Sequence, residues 1–92
     1  MIYVIAYDIA DNHRRESVSA LLATCGARVQ FSVFECELPN PVAFTRMRDG
    51  LAAIIDTAED QVRLYPLPDN AERRLEVLGD RRLEERQDYW IL

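Results

Sequence analysis

The run MIYVIAYDI, residues 1–9, decides how the rest of the chain is read. It is β-branched and aromatic throughout, so it predicts a strand. Alternation sends Ile2, Val4 and Ala6 to one face and Tyr3, Ile5 and Tyr7 to the other. Both faces are apolar, so both ask for cover. A chain of 92 residues can lay helices on one face of a sheet but hardly on both. The second face is therefore expected to meet a second copy of the chain, giving a homodimer. The alternative is a central strand with a small third layer built from tail and loops.

Reading outward, Asp11 or Asn12 offers a helix N-cap. Val18, Leu21, Leu22 and Cys25 follow at helical spacing, which predicts a helix to about Cys25 with Gly26 as a left-handed stop. Residues 28–38, RVQFSVFECEL, alternate as one long strand or as two shorter ones. Asn40 and Pro41 read as the cap and first turn of a second helix. Its apolar stripe is Phe44, Met47, Leu51, Ile54, Ile55 and Ala58, and the acidic stretch Asp56 to Asp60 ends it. Residues 61–67, QVRLYPL, form a further strand that Pro66 closes. Asn70 can cap a short helical turn, Leu75 to Leu78 fit helix and strand equally, residues 80–88 read as a charged loop, and Tyr89–Leu92 reads as a short terminal strand.

The order β-α-β-β-α-β implies an α+β fold, a ferredoxin-like sandwich with two helices on one face of an antiparallel sheet. Residues 1–68 form the core domain and residues 69–92 a tail with its short strand. Tyr3 or Ile5 is expected on the uncovered face.

The composition is that of an ordinary globular chain, 49% hydrophobic and 29% charged. No apolar run is long enough to span a membrane and no secretory leader is evident, so a cytoplasmic protein is expected. Sixteen acids against eleven bases give a net charge of −5. Residues 1–34 balance three acids with three arginines, while residues 35–92 set thirteen acids against eight arginines and carry the whole excess. There is no lysine, so every side-chain cation except that of a protonated His13 is a guanidinium, a fork that suits phosphate oxygens. Cys25 and Cys36, with His13 as the one histidine, are too few for a structural zinc site and read as small buried hydrophobes.

Asp8 is the sharpest chemical signal, a carboxylate at the C-terminal lip of the first strand. Its bland reading is a solvated loop aspartate or a helix cap. One carboxylate does not hold magnesium firmly, because that ion takes about six oxygens. Pairing about a two-fold axis would bring Asp8 of each copy to the same ion. Asp11 can add an outer oxygen but reads better as a cap. Arg14 and Arg15 sit in a first helical turn, the end where the dipole disfavours cations, and so invite a phosphate. Arg28 can grip a phosphate or guard the sheet edge. Tyr7 and Phe34 can stack on bases, although core packing is the commoner use of such rings. His13 reads as a bystander.

Together YDIADNHRRESV (7–18), the Gly26 turn, RVQFSVFE (28–35), VRLYPL (62–67), and the EVLG and terminal Ile-Leu of the tail resemble the small CRISPR-associated endonuclease family, the second adaptation protein, "Cas-two". The resemblance spans essentially the whole chain. It implies a ferredoxin-like homodimer paired through its sheets and a nuclease, dependent on magnesium or manganese, acting on single-stranded RNA or on DNA. It also implies an integrase partner, the first adaptation protein, in spacer acquisition. The family's metal-binding and catalytic aspartate falls on Asp8 and its preceding aromatic on Tyr7. Its arginines fall on Arg15 and Arg28, and its Ser-Val-Phe element on Ser32, Val33 and Phe34. Where some relatives carry a further arginine this chain has Ser17. The nucleic-acid-binding set is then Tyr7, Arg14, Arg15, Arg28, Ser32 and Phe34. Two other readings share the fold: a non-catalytic dimeric adaptor that binds duplex DNA and bridges integrase dimers, and a toxin-like ribonuclease such as the virulence-associated protein D group. An RNA-recognition sheet fits least well, since no basic and aromatic RNP-type string is present.

Overall fold

The structure, a computed structural model, describes residues 1–79. Its elements are β1 (Ile2–Asp8), α1 (Asn12–Leu22), β2 (Gly26–Gln30), β3 (Val33–Glu37), α2 (Pro41–Ile54), β4 (Gln61–Pro66) and α3 (Ala71–Arg74). The four strands make one sheet in the order β2-β3-β1-β4, with every neighbouring pair antiparallel. This is the α+β ferredoxin-like arrangement expected from the sequence. The proposed terminal strand Tyr89–Leu92 and the charged loop 80–88 lie outside the described residues, as does most of the tail.

The two long helices begin where their caps dictate, whereas Asn70 before α3 makes no side-chain cap bond. The Asp11 carboxylate accepts the Arg14 amide at 2.9 Å, and the Asn40 side-chain carbonyl accepts the Ala43 amide at 2.8 Å. Pro41 fills the first turn of α2, where its missing N–H costs nothing. Of the predicted stripe on α2, Met47 and Leu51 are buried and Phe44, Ile54 and Ile55 pack against the core. The helix stops at Ile54, so Ala58 falls beyond it and is exposed.

The 28–38 run divides into β2 and β3 around a turn at Phe31 and Ser32. Gly26 corrects the reading of it as a left-handed helix stop. Among the described residues Gly79 alone has a positive φ. α1 ends at Leu22, three residues earlier than expected, and Gly26 opens β2. What it supplies is closeness: a Cβ there would stand 1.9 Å from the Glu35 carbonyl oxygen and 2.7 Å from the Cys36 Cα. Leu75 to Leu78 form neither helix nor strand, and Leu75, Val77 and Leu78 are exposed.

The core lies between the sheet and the two long helices. Ile5, Tyr7, Val18, Leu22, Phe34, Cys36, Met47 and Leu51 fill it, and Tyr3 packs at its margin on Phe44 with ring centroids 5.0 Å apart. Each fully buried aliphatic or aromatic side chain contributes about 1.5–3 kcal/mol relative to exposure. The expectation that Tyr3 or Ile5 would face outward is therefore overturned. The larger residues of the alternation take the helix side, where there is volume to fill. Ile2, Val4, Ala6 and Asp8 take the other.

The core places α1 and α2 on the first face, and no helix among the described residues is long and apolar enough to cross a membrane. The cross-strand register adds Val33, Glu35 and Glu37 to the second face from β3, and Gln61, Arg63 and Tyr65 from β4. The start of the tail reaches only one end of it. There Leu67, Ala71 and Leu75 flank a groove of about 410 Å³ with Ile2, Ala27, Glu35 and Glu37.

Candidate active site

Asp8 ends β1 opposite Gln61 of β4, and it is exposed. Its place follows from the strand alternation that buries Ile5 and Tyr7: the next even position must leave the sheet on the open side. The carboxylate thus stands at a lip, accessible to solvent and continuous with the face formed by Ile2, Val4 and Ala6.

The loop beyond it is fixed at three successive residues. The Ile9 carbonyl accepts from the Arg15 guanidinium at 2.9 Å. The Ala10 amide donates to Asp60 Oδ1 at 2.9 Å. The Asp11 carboxylate caps α1, and the Arg14 amide it accepts holds its pKa below the ordinary value.

Asp60 is the buried acid of this region, its side chain 0% exposed. Arg14 Nε donates to its Oδ2 at 2.8 Å, and the Asp56 amide donates to the same oxygen at 2.9 Å. The Arg14 guanidinium holds the Asp60 carboxyl well below the usual carboxylate range, aided by the Ala10 and Asp56 amides and opposed by burial. Arg14 reaches Glu59 as well, at 3.1 Å, and its own pKa is raised chiefly by Asp60. Sequence reasoning placed Arg14 toward a phosphate; the structure engages it with these two acids.

The remaining candidates gather on the β2–β3 turn beside the end of β1. The Tyr7 amide donates to the Ser32 carbonyl at 3.0 Å and the Tyr7 hydroxyl to the Phe31 carbonyl at 3.1 Å. Arg28 donates to the same Phe31 carbonyl at 2.6 Å and to the Ser19 hydroxyl of α1, and its guanidinium lies 5.2 Å from the Phe34 ring centre. Tyr7 and Phe34 are 6% and 2% exposed, so the idea that they stack on bases is corrected: rings this buried have no face to offer. They set the turn instead. Arg15, besides holding Ile9, bonds the Asn12 side chain. His13 is exposed on α1.

Sequence reasoning missed two residues of this region. Asp60 was read only as part of an acidic helix stop, and nothing in a single sequence distinguishes a buried acid from a solvated one. Arg63, on the open face two positions from Gln61, is exposed; it donates to the Gln61 side-chain carbonyl at 3.0 Å and to the Tyr65 hydroxyl at 3.0 Å. Its signal was present in the alternation of residues 61–67, which places an arginine on the same side as Asp8.

No three acid, histidine or cysteine side chains among the described residues converge to hold a metal. The oxygen donor type of Asp8 suits magnesium, which binds one or two carboxylates together with water and phosphate.

Comparison with known proteins bears on this geometry. The model of the family described as "CRISPR associated protein Cas2" matches residues 1–75. A protein of Synechocystis sp. named "CRISPR-associated endoribonuclease Cas2 3" is 40% identical over 79 residues, covering 86% of this chain and 85% of its own length. One of Thermus thermophilus named "CRISPR-associated endonuclease Cas2 2" is 36% identical over 91 residues, covering 99% of this chain and 96% of its own. The crystal structure of Streptococcus pyogenes Cas2 at pH 6.5 superposes with a TM-score of 0.76 at 37% identity, covering 86% of this chain and all of that one.

Proposed function

The chain belongs to the CRISPR-associated Cas2 family, and from that premise we propose that it is a metal-dependent endonuclease cleaving phosphodiester bonds of single-stranded RNA or of DNA. The observation that carries this reading is the placement of Asp8, an exposed carboxylate at the end of β1 on an uncovered sheet face, just before a loop fixed at three successive residues. Two copies paired through that face bring two Asp8 carboxylates together, and these would hold a magnesium or manganese ion. Such an ion, when bound, supplies neutralisation of phosphate charge and a more acidic water.

The chain's own residues do the rest. Asp8 presents the carboxylate oxygens that would hold the ion, and the phosphate, itself an anion, would meet that ion rather than Asp8 directly. Arg63 offers a cation on the same face, within the reach of a neighbouring phosphate. Arg28 and Tyr7 hold the β2–β3 turn against the end of β1, so that the wall beside Asp8 keeps its shape. In the hydrolysis, the water oxygen forms the new bond to phosphorus, the P–O ester bond breaks, and the departing oxygen takes up a proton to become a hydroxyl.

The test compares wild type with Asp8→Asn on labelled single-stranded RNA and DNA, with magnesium and with chelator. The variant is expected to keep its fold and dimer and to lose at least about a hundredfold in cleavage rate, the scale of loss when a transition-state charge contact is removed. Unchanged cleavage in a clean preparation overturns the catalytic assignment.

A second reading is a dimeric adaptor that holds duplex DNA for the integrase in spacer acquisition. Arg14, Arg15 and Arg28 each make bonds inside the protomer, and the net charge is −5. Both features weaken a strong free-standing nuclease, and a scaffold would have to hold duplex DNA through arginines outside this set. Spacer uptake that survives Asp8→Ala selects this reading.

A further inference from the structure

Asp60 is the one buried charged residue among those described, and it is the chain neighbour of the residue that pairs with Asp8. It immediately precedes β4, whose first residue, Gln61, pairs with Asp8. Its carboxylate spans fifty positions of sequence to take the Ala10 amide, and it takes the Arg14 guanidinium from the first turn of α1. Three segments thus meet on one side chain: the loop leaving Asp8, the start of the helix that follows, and the approach to the neighbouring strand. A buried ion pair is a poor route to stability, because apolar groups of the same volume commonly do as well. What it does supply is direction, since each bond fixes one atom at one angle.

We infer that Asp60 is a positioning residue for Asp8. It sets the path of the chain two residues beyond Asp8 while the β1–β4 register sets it at Asp8 itself, so the carboxylate leaves the sheet at one angle. Arg14 belongs to the same device: it neutralises Asp60, so that the acid can stay charged and buried while it holds Ala10. This gives a purpose to the cation in the first turn of α1 that the helix dipole alone disfavours. The inference rests on the reading of Asp8 as the metal-holding carboxylate.

The experiment uses the full chain with Asp60→Asn, Arg14→Lys, Asp8→Asn and, as a control, Asp49→Asn, an exposed acid of α2 that faces Arg48. Three quantities are read: Mn2+ affinity by electron paramagnetic resonance, hydrogen exchange of the Ala10 amide, and kcat and KM for single-stranded RNA. For Asp60→Asn the Ala10 amide is expected to exchange faster. Mn2+ affinity and kcat are each expected to fall about tenfold, with KM changed less than about twofold, the pattern of a lost orienting partner. Arg14→Lys keeps a cation beside Asp60 but loses the fork, and is expected to shift all three readouts in the same direction by less. Asp49→Asn is expected to change none.

A folded Asp60→Asn with a loosened Ala10 and unaltered Mn2+ affinity and kcat overturns the positioning role. If Asp60→Asn does not fold, Arg14→Lys decides by the same criterion. If Asp8→Asn itself leaves Mn2+ binding and cleavage unchanged, the reading of Asp8 falls and the positioning role with it. The two failures are thus told apart by which variant is silent.

Discussion

The two faces of the sheet obey the same alternation and end up with opposite chemistry. On the helix side Ile5, Tyr7, Phe34 and Cys36 are buried, and the polar atoms of Tyr7 and Cys36 are matched: the Tyr7 hydroxyl finds the Phe31 carbonyl, and the Cys36 thiol finds the Leu22 carbonyl. Burial pushes the Cys25 and Cys36 thiols up, as expected of cysteines serving as small hydrophobes. On the open side Ile2, Val4 and Ala6 are only half-buried, and they run among Glu35, Arg63, Tyr65 and Asp8. One face is finished within the protomer; the other is apolar down its middle, charged at its margins, and carries the candidate catalytic acid. The contrast separates residues that hold the fold from residues that await another molecule.

The contrast is broken most severely from the helix side. Phe34 is among the largest fully packed side chains, it stacks near Tyr7 with centroids 6.4 Å apart, and it carries the Arg28 guanidinium. Phe34→Ala is expected to cost about 3–5 kcal/mol in urea unfolding, through the cavity it leaves. A loss below about 1 kcal/mol would mean that the helix face is not the true core. Gly26→Ala comes next. The added methyl meets backbone rather than a flexible side-chain end, so β2 has to draw away from β3. Its expected cost is about 1–3 kcal/mol, with faster amide exchange along β2.

A third difference shows only in acid. The Asp60 pKa is depressed in the folded state by Arg14, so its contribution to stability is complete above the unfolded carboxylate value of 3.8 and is lost as pH falls toward the folded value. Between those values the unfolded chain binds the proton and the folded one does not. Urea midpoints of wild type should therefore fall steeply below about pH 4, and Asp60→Asn should show a shallower slope there. Equal slopes would mean that the Arg14–Asp60 pair does not persist in solution.

Much of this was legible in advance. Caps at Asp11 and Asn40, the proline at position 41 and the period-2 run of β1 act locally, and local signals can be read from the chain. The family resemblance carried by residues 7–18 and 28–35 is borne out, and with it the fold. What failed to show was decided by distant contacts. The side of the sheet taken by Tyr3 and Ile5 depends on which face the helices choose, and alternation alone is symmetric between the two. Gly26 looked like a helix stop because its constraint, the Glu35 carbonyl, lies nine residues away in another strand. Arg14 looked available because Asp60 is 46 residues off. Tyr7 and Phe34 were read toward a ligand although they support the turn beside it.

The smallest expected change in the protomer is the one that tests the open face most directly. Val4 sits at the middle of that face, opposite Glu35 on β3 and Tyr65 on β4. Val4→Lys removes apolar area there but places a cation across from an acid, a favourable cross-strand pair, so protomer stability should move by less than about 1 kcal/mol. A lysine at this position would also have to be desolvated when two such faces meet, together with its symmetry mate. Sizing should show the wild type as a dimer and the variant as a monomer with unchanged circular dichroism. Cleavage should vanish with the dimer under the proposal that two Asp8 carboxylates share the ion. A monomeric variant that still cleaves at the wild-type rate would place the whole reaction inside one protomer and make the open face a surface for some other partner.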